Sequence, residues 1–422
     1  MFFGQPMLNP FRSLTGLSPD EVVMVRNQRS VVIDGIGVGI VGGIATFLAV
    51  FLARLGASPL LVGLLTSMPA FTGLLLAIPV GRLLERQTDI VPWYSRARVW
   101  VQATYAVTGL LPFFLPIDFI PTAVIIIWAI ATIPQTIVNI TFTVVMGAAA
   151  GPQRRQQLMS WRWSTLGAAT ALSVAGAGWF LEQFSFPINY QIVFLVSFLG
   201  GMLSFFFSSR IDIDTVPNSQ SHKTGLRALL TESVGMLREV PAFSRYITAT
   251  FVFNCGIWMA MPLFPLYWVH VVKASDFSIG LVNTVNSGVL LIAYFVWARV
   301  TAKRGNLPVL FASTMALALY PLFMGMTESI LLITLLAGLA GFIGSGKELV
   351  FFDLAFETMP RDRVPSFVAL QQLTGYVATL VMPLVGTFLA TQYDYHIALY
   401  VAGGIRLVGV VLLYVLKIGR KN

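Results

Sequence analysis

Cysteine is nearly absent from this chain: Cys255 stands alone, which excludes a disulfide within the chain and a thiolate metal cluster. Histidine is scarce as well. His222, His270 and His396 are scattered and offer no metal-ligand or catalytic spacing. Charged residues make up only 11% of the 422, with 18 acidic against 27 basic. So little charge cannot cover the surface of a water-soluble domain of this length. No HExxH, GxSxG or paired-histidine pattern occurs, so nothing in the motifs indicates an enzyme, a cofactor or a metal.

Hydrocarbon is what the sequence has in excess. Hydrophobic residues reach 56% and mean hydropathy is +0.79, the balance of a chain solvated by lipid. Apolar runs long enough to cross a bilayer recur throughout, and we count twelve: 31–53, 60–80, 99–116, 120–147, 159–181, 189–209, 246–270, 278–299, 307–326, 329–356, 366–391 and 396–417. All should be helices, because backbone amides in hydrocarbon must bond within their own segment. The expected fold class is therefore an all-α membrane protein of twelve transmembrane helices.

Orientation follows from the basic residues. Of 27 Lys and Arg, 23 lie at the termini, in loops or close to the run ends on the same side; the opposite loops carry only Arg54 and Lys273, while Lys347 and Arg406 lie deep inside runs. That asymmetry predicts cytoplasmic termini and a multi-pass protein of the cell (inner) membrane. The net charge of +9 then suits anionic lipid headgroups, and no nucleic-acid partner is expected. The opening MFFGQPMLNPFRSLTGLSPDE is too polar for a signal-peptide core, so insertion is expected to begin at the first run.

The sequence repeats itself. Residues 151–182 align without a gap on 359–390, with Pro152 on Pro360, Arg155 on Arg363, Gly167 on Gly375, Gly178 on Gly386 and Phe180 on Phe388. Ala57, Ser58, Gly63 and Leu64 likewise fall on Ala274, Ser275, Gly280 and Leu281. Two halves of six spans in parallel orientation follow. The expected organisation is a cytoplasmic segment over 1–30, a six-helix bundle over 31–209, a linker over 210–242 and a second bundle over 243–422. Within the linker, TGLRALLTESVGMLREV sets Leu226, Leu229, Leu230, Val234 and Leu237 on one helical face, which predicts an amphipathic helix on the cytoplasmic membrane surface.

The loop after the second run reads GRLLERQTD. With six plus six spans and a cytoplasmic linker, this resembles the major facilitator superfamily, whose signature between spans 2 and 3 is Gly, three residues, an acid, then a base. Gly81, Arg82, Glu85 and Arg86 carry it here, with Glu where the family has Asp. The resemblance implies a secondary transporter working by alternating access, with this loop as a cytoplasmic latch and spans 1, 4, 7 and 10 around a central cavity. The second-half counterpart, WARVTAKRGN, has Ala302 where the acid would stand.

GFIGSGKE, Gly341 to Glu348, matches a phosphate-binding loop at all fixed positions but one. Glu348 takes the place of the metal-binding hydroxyl, and the preceding LLITLLAGLA has helix length with no strand boundary, so a nucleotide site is not expected. Lys347 sits near the middle of span 10, where a bare charge is costly, so it should face protein or water. Neighbouring positions on a helix point about 100° apart, so Lys347 and Glu348 are expected to find separate partners, either a substrate or a buried ion pair involving Arg406. Gly338, Gly341, Gly344 and Gly346 leave room beside the charge for another helix.

The repeat sets Lys347 on Asn139, which shares a polar stripe with Thr132, Gln135 and Thr143. Substrate-binding candidates are thus Gln135, Asn139, Asn254, Trp258 and Lys347, the pair on span 7 lying four residues apart. Pro262 and Pro265 can bend that span. Proton-coupling candidates are Asp34 and Glu348, although Asp34 equally suits a fixed partner for a cytoplasmic Arg. Gating candidates are Gly81, Arg82, Glu85, Arg86, Asp353 and Glu357, the last two near Arg361 and Arg363. Gly35, Gly39 and Gly43 form a small-residue stripe for close packing.

Carboxylates and aromatics favour proton-coupled export of an amphipathic or drug-like compound; Lys347 and Arg406 favour an organic anion or metabolite. A non-transporting scaffold on the same fold is the third reading. Expected partners are a small-molecule substrate, protons and the lipid bilayer, with the chain as a monomer.

Overall fold

The computed structural model describes residues 18–85, 87–213, 235, 237–360 and 364–419. Among them lie thirteen α-helices: α1 Pro19–Ala45, α2 Leu48–Arg54, α3 Pro59–Glu85, α4 Val91–Phe114, α5 Ile120–Leu181, α6 Ile188–Ser208, α7 Pro241–Ala260, α8 Leu263–His270, α9 Asp276–Arg304, α10 Asn306–Met324, α11 Ile330–Thr358, α12 Val364–Gln392 and α13 Tyr395–Val415. Eleven helical segments among the described residues are long and apolar enough to cross a membrane. α4 has the length, at 24 residues, but carries Arg96, Arg98 and Gln102.

Local chemistry sets several boundaries that hydropathy alone misplaces. α1 starts twelve residues before the expected 31 because SPDE makes a capping box: Glu21 N–H donates to Ser18 Oγ at 3.4 Å, and Ser18 N–H donates to the Glu21 carboxylate at 3.0 Å. Pro19 occupies the first turn, where its missing N–H costs nothing. The first and seventh spans are each interrupted, between α1 and α2 and again between α7 and α8, where Pro262 precedes the new helix.

Spans 4 and 5, expected as separate runs over 120–147 and 159–181, belong to one helix of 62 residues. Straight, it would measure about 93 Å, roughly three hydrocarbon thicknesses. It holds two candidate crossings, within Ile117–Phe142 and at Trp161–Leu181. Gly147, Gly151 and Pro152 lie between them, residue types at which helices bend.

The chain divides into two compact units, Met1–Thr46 with Leu76–Leu115 and Ile130–Ser221, and Phe47–Leu75 with Pro116–Ala129 and His222–Asn422. The first is built around Val31, Val32, Tyr94, Val145, Met146 and Leu158. There α1 presses its glycine stripe onto α5: a methyl group at Gly39 would meet Ala169 Cβ at 2.9 Å, and one at Gly43 would meet Ser173 Cβ at 2.9 Å. Thr170 Oγ1 donates to the Gly39 carbonyl at 3.1 Å across this contact. In the second unit Phe243, Tyr246, Phe253, Val350, Phe351 and Phe367 form the core, and α9 with α11 makes the most extensive helix pairing. The expected amphipathic linker helix lies mostly outside the described residues.

Candidate functional site

GFIGSGKE lies wholly inside α11. Its amides bond along the helix and do not converge on a phosphate, as a nucleotide loop would require. Lys347 is buried, and its Nζ stands 2.5 Å from Glu348 Oε1 and 5.2 Å from the centre of the Phe351 ring, one turn further on. This corrects the expectation that adjacent positions cannot pair. Their Cβ atoms diverge, but the four-carbon stem of Lys347 is flexible enough to curl towards its neighbour. The two ends of the pair differ sharply in environment: the Lys347 side chain is 8% exposed and that of Glu348 62%.

Asp34 is the second charged centre. Fully buried on α1, it accepts from Arg98 Nη1 at 2.7 and 2.9 Å, from Arg162 Nη2 at 3.3 Å, from Ser204 Oγ at 2.6 Å and from Tyr94 OH at 3.4 Å. One carboxylate thus ties α1 to α4, α5 and α6. Arg98 also donates to Tyr94 OH and lies over its ring, while Arg162 lies 4.7 Å from the Phe142 ring centre. Sequence reasoning assigns Arg98 and Arg162 to the cytoplasmic charge, because each falls near the edge of an apolar run. The helix starting at Val91 instead carries Arg98 two turns inward.

Gln135 and Asn139 meet on α5, with Gln135 Nε2 donating to Asn139 Oδ1 at 2.8 Å. Thr132 and Thr136 are buried on the same helix, and Thr136 Oγ1 bonds back to the Thr132 carbonyl at 2.9 Å. Asn254 and Trp258 are half-buried on α7. Arg406, a candidate for the acid of span 10, instead donates through Nη1 to the Leu317 carbonyl at 2.8 Å, and it has no acidic partner among the described residues. Gly81, Arg82 and Glu85 end α3, with side chains that lie outside the described residues, as does Arg86 entirely. Asp353 and Glu357 are exposed near the end of α11; Arg361 and Arg363, their expected partners, are not among the described residues.

One contact has no sequence signal beyond the position of Arg54 as a rare basic residue on its side. Arg54, at the end of α2, donates through Nε and Nη2 to Asp276 Oδ1 at 3.2 and 3.0 Å and through Nη2 to the Ala274 carbonyl at 2.6 Å. A first-half loop is thereby fastened to the second-half loop that the repeat sets in register with it, and α2 packs on α8 nearby.

The Major Facilitator Superfamily model matches residues 30–272 and 246–421. A multidrug resistance protein, MdtG of Serratia proteamaculans (strain 568), is 29% identical over 170 residues, 38% of this chain and 40% of that relative, so the likeness spans well under half of either. Among solved structures, a POT family transporter in complex with 5-aminolevulinic acid has a TM-score of 0.72 at 12% identity, covering 94% of this chain and 97% of that one. The nucleoside transporter NupG has 0.67 at 12% over 94% and 100%. A bacterial homologue of the iron transporter ferroportin, inward-facing, has 0.69 at 16% over 96% and 100%. At such identities the structures share the fold alone. Two family-model matches that together cover nearly the whole chain carry the conclusion: this is a multi-pass membrane protein of the major facilitator superfamily, a family of secondary transporters of small molecules.

Proposed function

We propose that the chain exports an amphipathic, drug-like compound in exchange for protons. The observation that carries this reading is Glu348, whose side chain is 62% exposed well inside α11. A charge facing hydrocarbon there costs at least about 2.5–3.5 kcal/mol, so an uncovered carboxylate at that depth marks a hydrated cavity. Protonating it dissolves its pair with Lys347, which gives the site two charge states. Coupling then rests on Glu348. Asp34, enclosed by four donors, anchors its bundle and is the weaker candidate. The partial likeness to a multidrug resistance protein supports export.

Gln135, Asn139, Asn254, Trp258 and Lys347 contribute to substrate binding in this proposal. Gly81, Arg82, Glu85 and Arg86 act as a latch, and Asp353 and Glu357 act in gating through the loop of Arg361 and Arg363, on the side of the termini, which face the cytoplasm across an inner membrane. Arg54–Asp276 closes the opposite end and must break when that end opens. The bundles run over 31–209 and 243–422, joined by 210–242. A second reading, transport of an organic anion, is favoured by the buried ammonium of Lys347.

Proteoliposomes separate the two. Ethidium, a cationic amphipath, should move with an imposed pH gradient, stop on adding a protonophore, and lose its pH dependence in Glu348→Gln. Ethidium flux indifferent to the gradient and the protonophore would overturn proton-coupled export. Gradient-driven uptake of an organic anion, abolished in Lys347→Ala, would establish the second reading instead.

A further inference from the structure

We infer that Trp297 is a positioning residue for the Lys347–Glu348 pair, acting with Asn286 and Tyr246 through the backbone of α11. Three side chains from neighbouring helices donate to carbonyls of this one helix: Asn286 Nδ2 to Ala337 at 2.8 Å, Trp297 Nε1 to Phe342 at 2.7 Å, and Tyr246 OH to Phe351 at 2.8 Å. An α-helical carbonyl already accepts the N–H four residues on, so a second donor must approach beside that residue's side chain. For Ala337 and Phe342 those residues are Gly341 and Gly346. A methyl group at Gly341 would lie 3.1 Å from Asn286 Nδ2, and one at Gly346 would lie 2.8 Å from the Trp297 indole. Gly344, in the same run, has open space beside it. Glycine therefore stands in GFIGSGKE where α9 must reach the backbone of α11.

The bonds bracket the charge. Trp297 lies against Gly346, the residue before Lys347, and holds the carbonyl five residues upstream of it. Downstream, Phe351 receives the ammonium on its ring, gives its carbonyl to Tyr246 and meets the Tyr246 ring edge-on at 6.4 Å. α11 cannot slide or rotate past α9 and α7 without breaking these bonds, so Lys347 moves with the pair of helices that hold it. The functional weight of this placement rests on the reading of Lys347 and Glu348 as the transport site.

Trp297→Phe keeps an aromatic ring at this position and removes the indole N–H donor. In a Cys255→Ser background, a cysteine at 347 (Lys347→Cys) is labelled with 2-aminoethyl methanethiosulfonate, with Ser209→Cys at the end of α6 as control. Adding Trp297→Phe should change the labelling rate at 347 by about threefold, the effect of one typical interhelical side-chain bond in a membrane, and leave that at 209 unchanged. In otherwise native protein, Trp297→Phe should shift the pH at which ethidium flux is half-maximal, and that shift should vanish in a Glu348→Gln background. Unaltered labelling at 347, or an equal change at 209, overturns the positioning role. Altered labelling at 347 alone, with wild-type flux in both Lys347→Ala and Glu348→Gln, upholds the placement and overturns the transport reading.

Discussion

Arg98 and Arg162 are buried in the first half of the chain beside Asp34, which each of them bonds. Arg406, as deeply buried in the second half, has the carbonyl of Leu317 and no acid among the described residues. The difference has a local cause. In α10 the residue four beyond Leu317 is Pro321, which has no N–H, so the Leu317 carbonyl loses its helical donor. Arg406 replaces it. In the first half a carboxylate organises cations from two helices; in the second a cation repairs a gap left by proline. A buried arginine is thus explained by what it bonds, and only the first kind makes a charge network.

The largest test removes the shared carboxylate. Asp34→Ala strands two guanidiniums away from water and should destabilise the protein by about 3–5 kcal/mol, seen as a lower thermal midpoint in detergent or as loss of folded protein. Replacing all three charges at once, Asp34→Leu with Arg98→Met and Arg162→Met, should recover most of that loss, because no charge is left unpaired. A triple variant no more stable than Asp34→Ala would show that the network does more than balance charge.

Arg406→Met should cost less, about 1–3 kcal/mol, the penalty of one orphaned carbonyl. Adding Pro321→Ala restores an N–H to Leu317 and should return part of it. If Arg406→Met were as damaging as Asp34→Ala, or if Pro321→Ala gave nothing back, the contrast between the two arginine sites would fail.

The smallest effect on stability is expected at Arg54 and Asp276, whose side chains are 28% and 13% exposed. Breaking this pair with Asp276→Asn should change stability by less than about 1 kcal/mol, as partly exposed ion pairs do. Its effect should appear instead in access: a cysteine at Ser58, beside the joined loops, should react faster with a membrane-impermeant maleimide. An unchanged rate would mean that the pair does not hold that end closed.

Much of this is legible in the sequence, and the failures are instructive. The SPDE capping box is readable and places the start of α1 at Pro19, where the apolar run alone sets it twelve residues too late. Arg98 looks like a loop charge because hydropathy averages over a window, and a lone arginine two turns inside a helix shifts the edge of that window. Arg162, three residues inside its run, is counted with the loop charges because the start of that run is read as a helix end, whereas α5 continues through it. Helical geometry at Cβ argues against a Lys347–Glu348 pair, whereas the pairing depends on how a long flexible side chain bends. Nothing in the spacing of residues 54 and 276 announces that they meet.

The sequence by itself determined that the chain lives in lipid, folds as helices and repeats its six-span plan, since these follow from hydropathy and backbone chemistry within each segment. It also marked Lys347 and Glu348 as charges needing an explanation. Tertiary structure decided which partners answer each buried charge: an aspartate for two arginines, a proline-orphaned carbonyl for a third, a neighbouring glutamate for the lysine. The physical reason is that a buried charge is satisfied by any donor or acceptor within about 3 Å, and residues that close in space can lie anywhere in the chain.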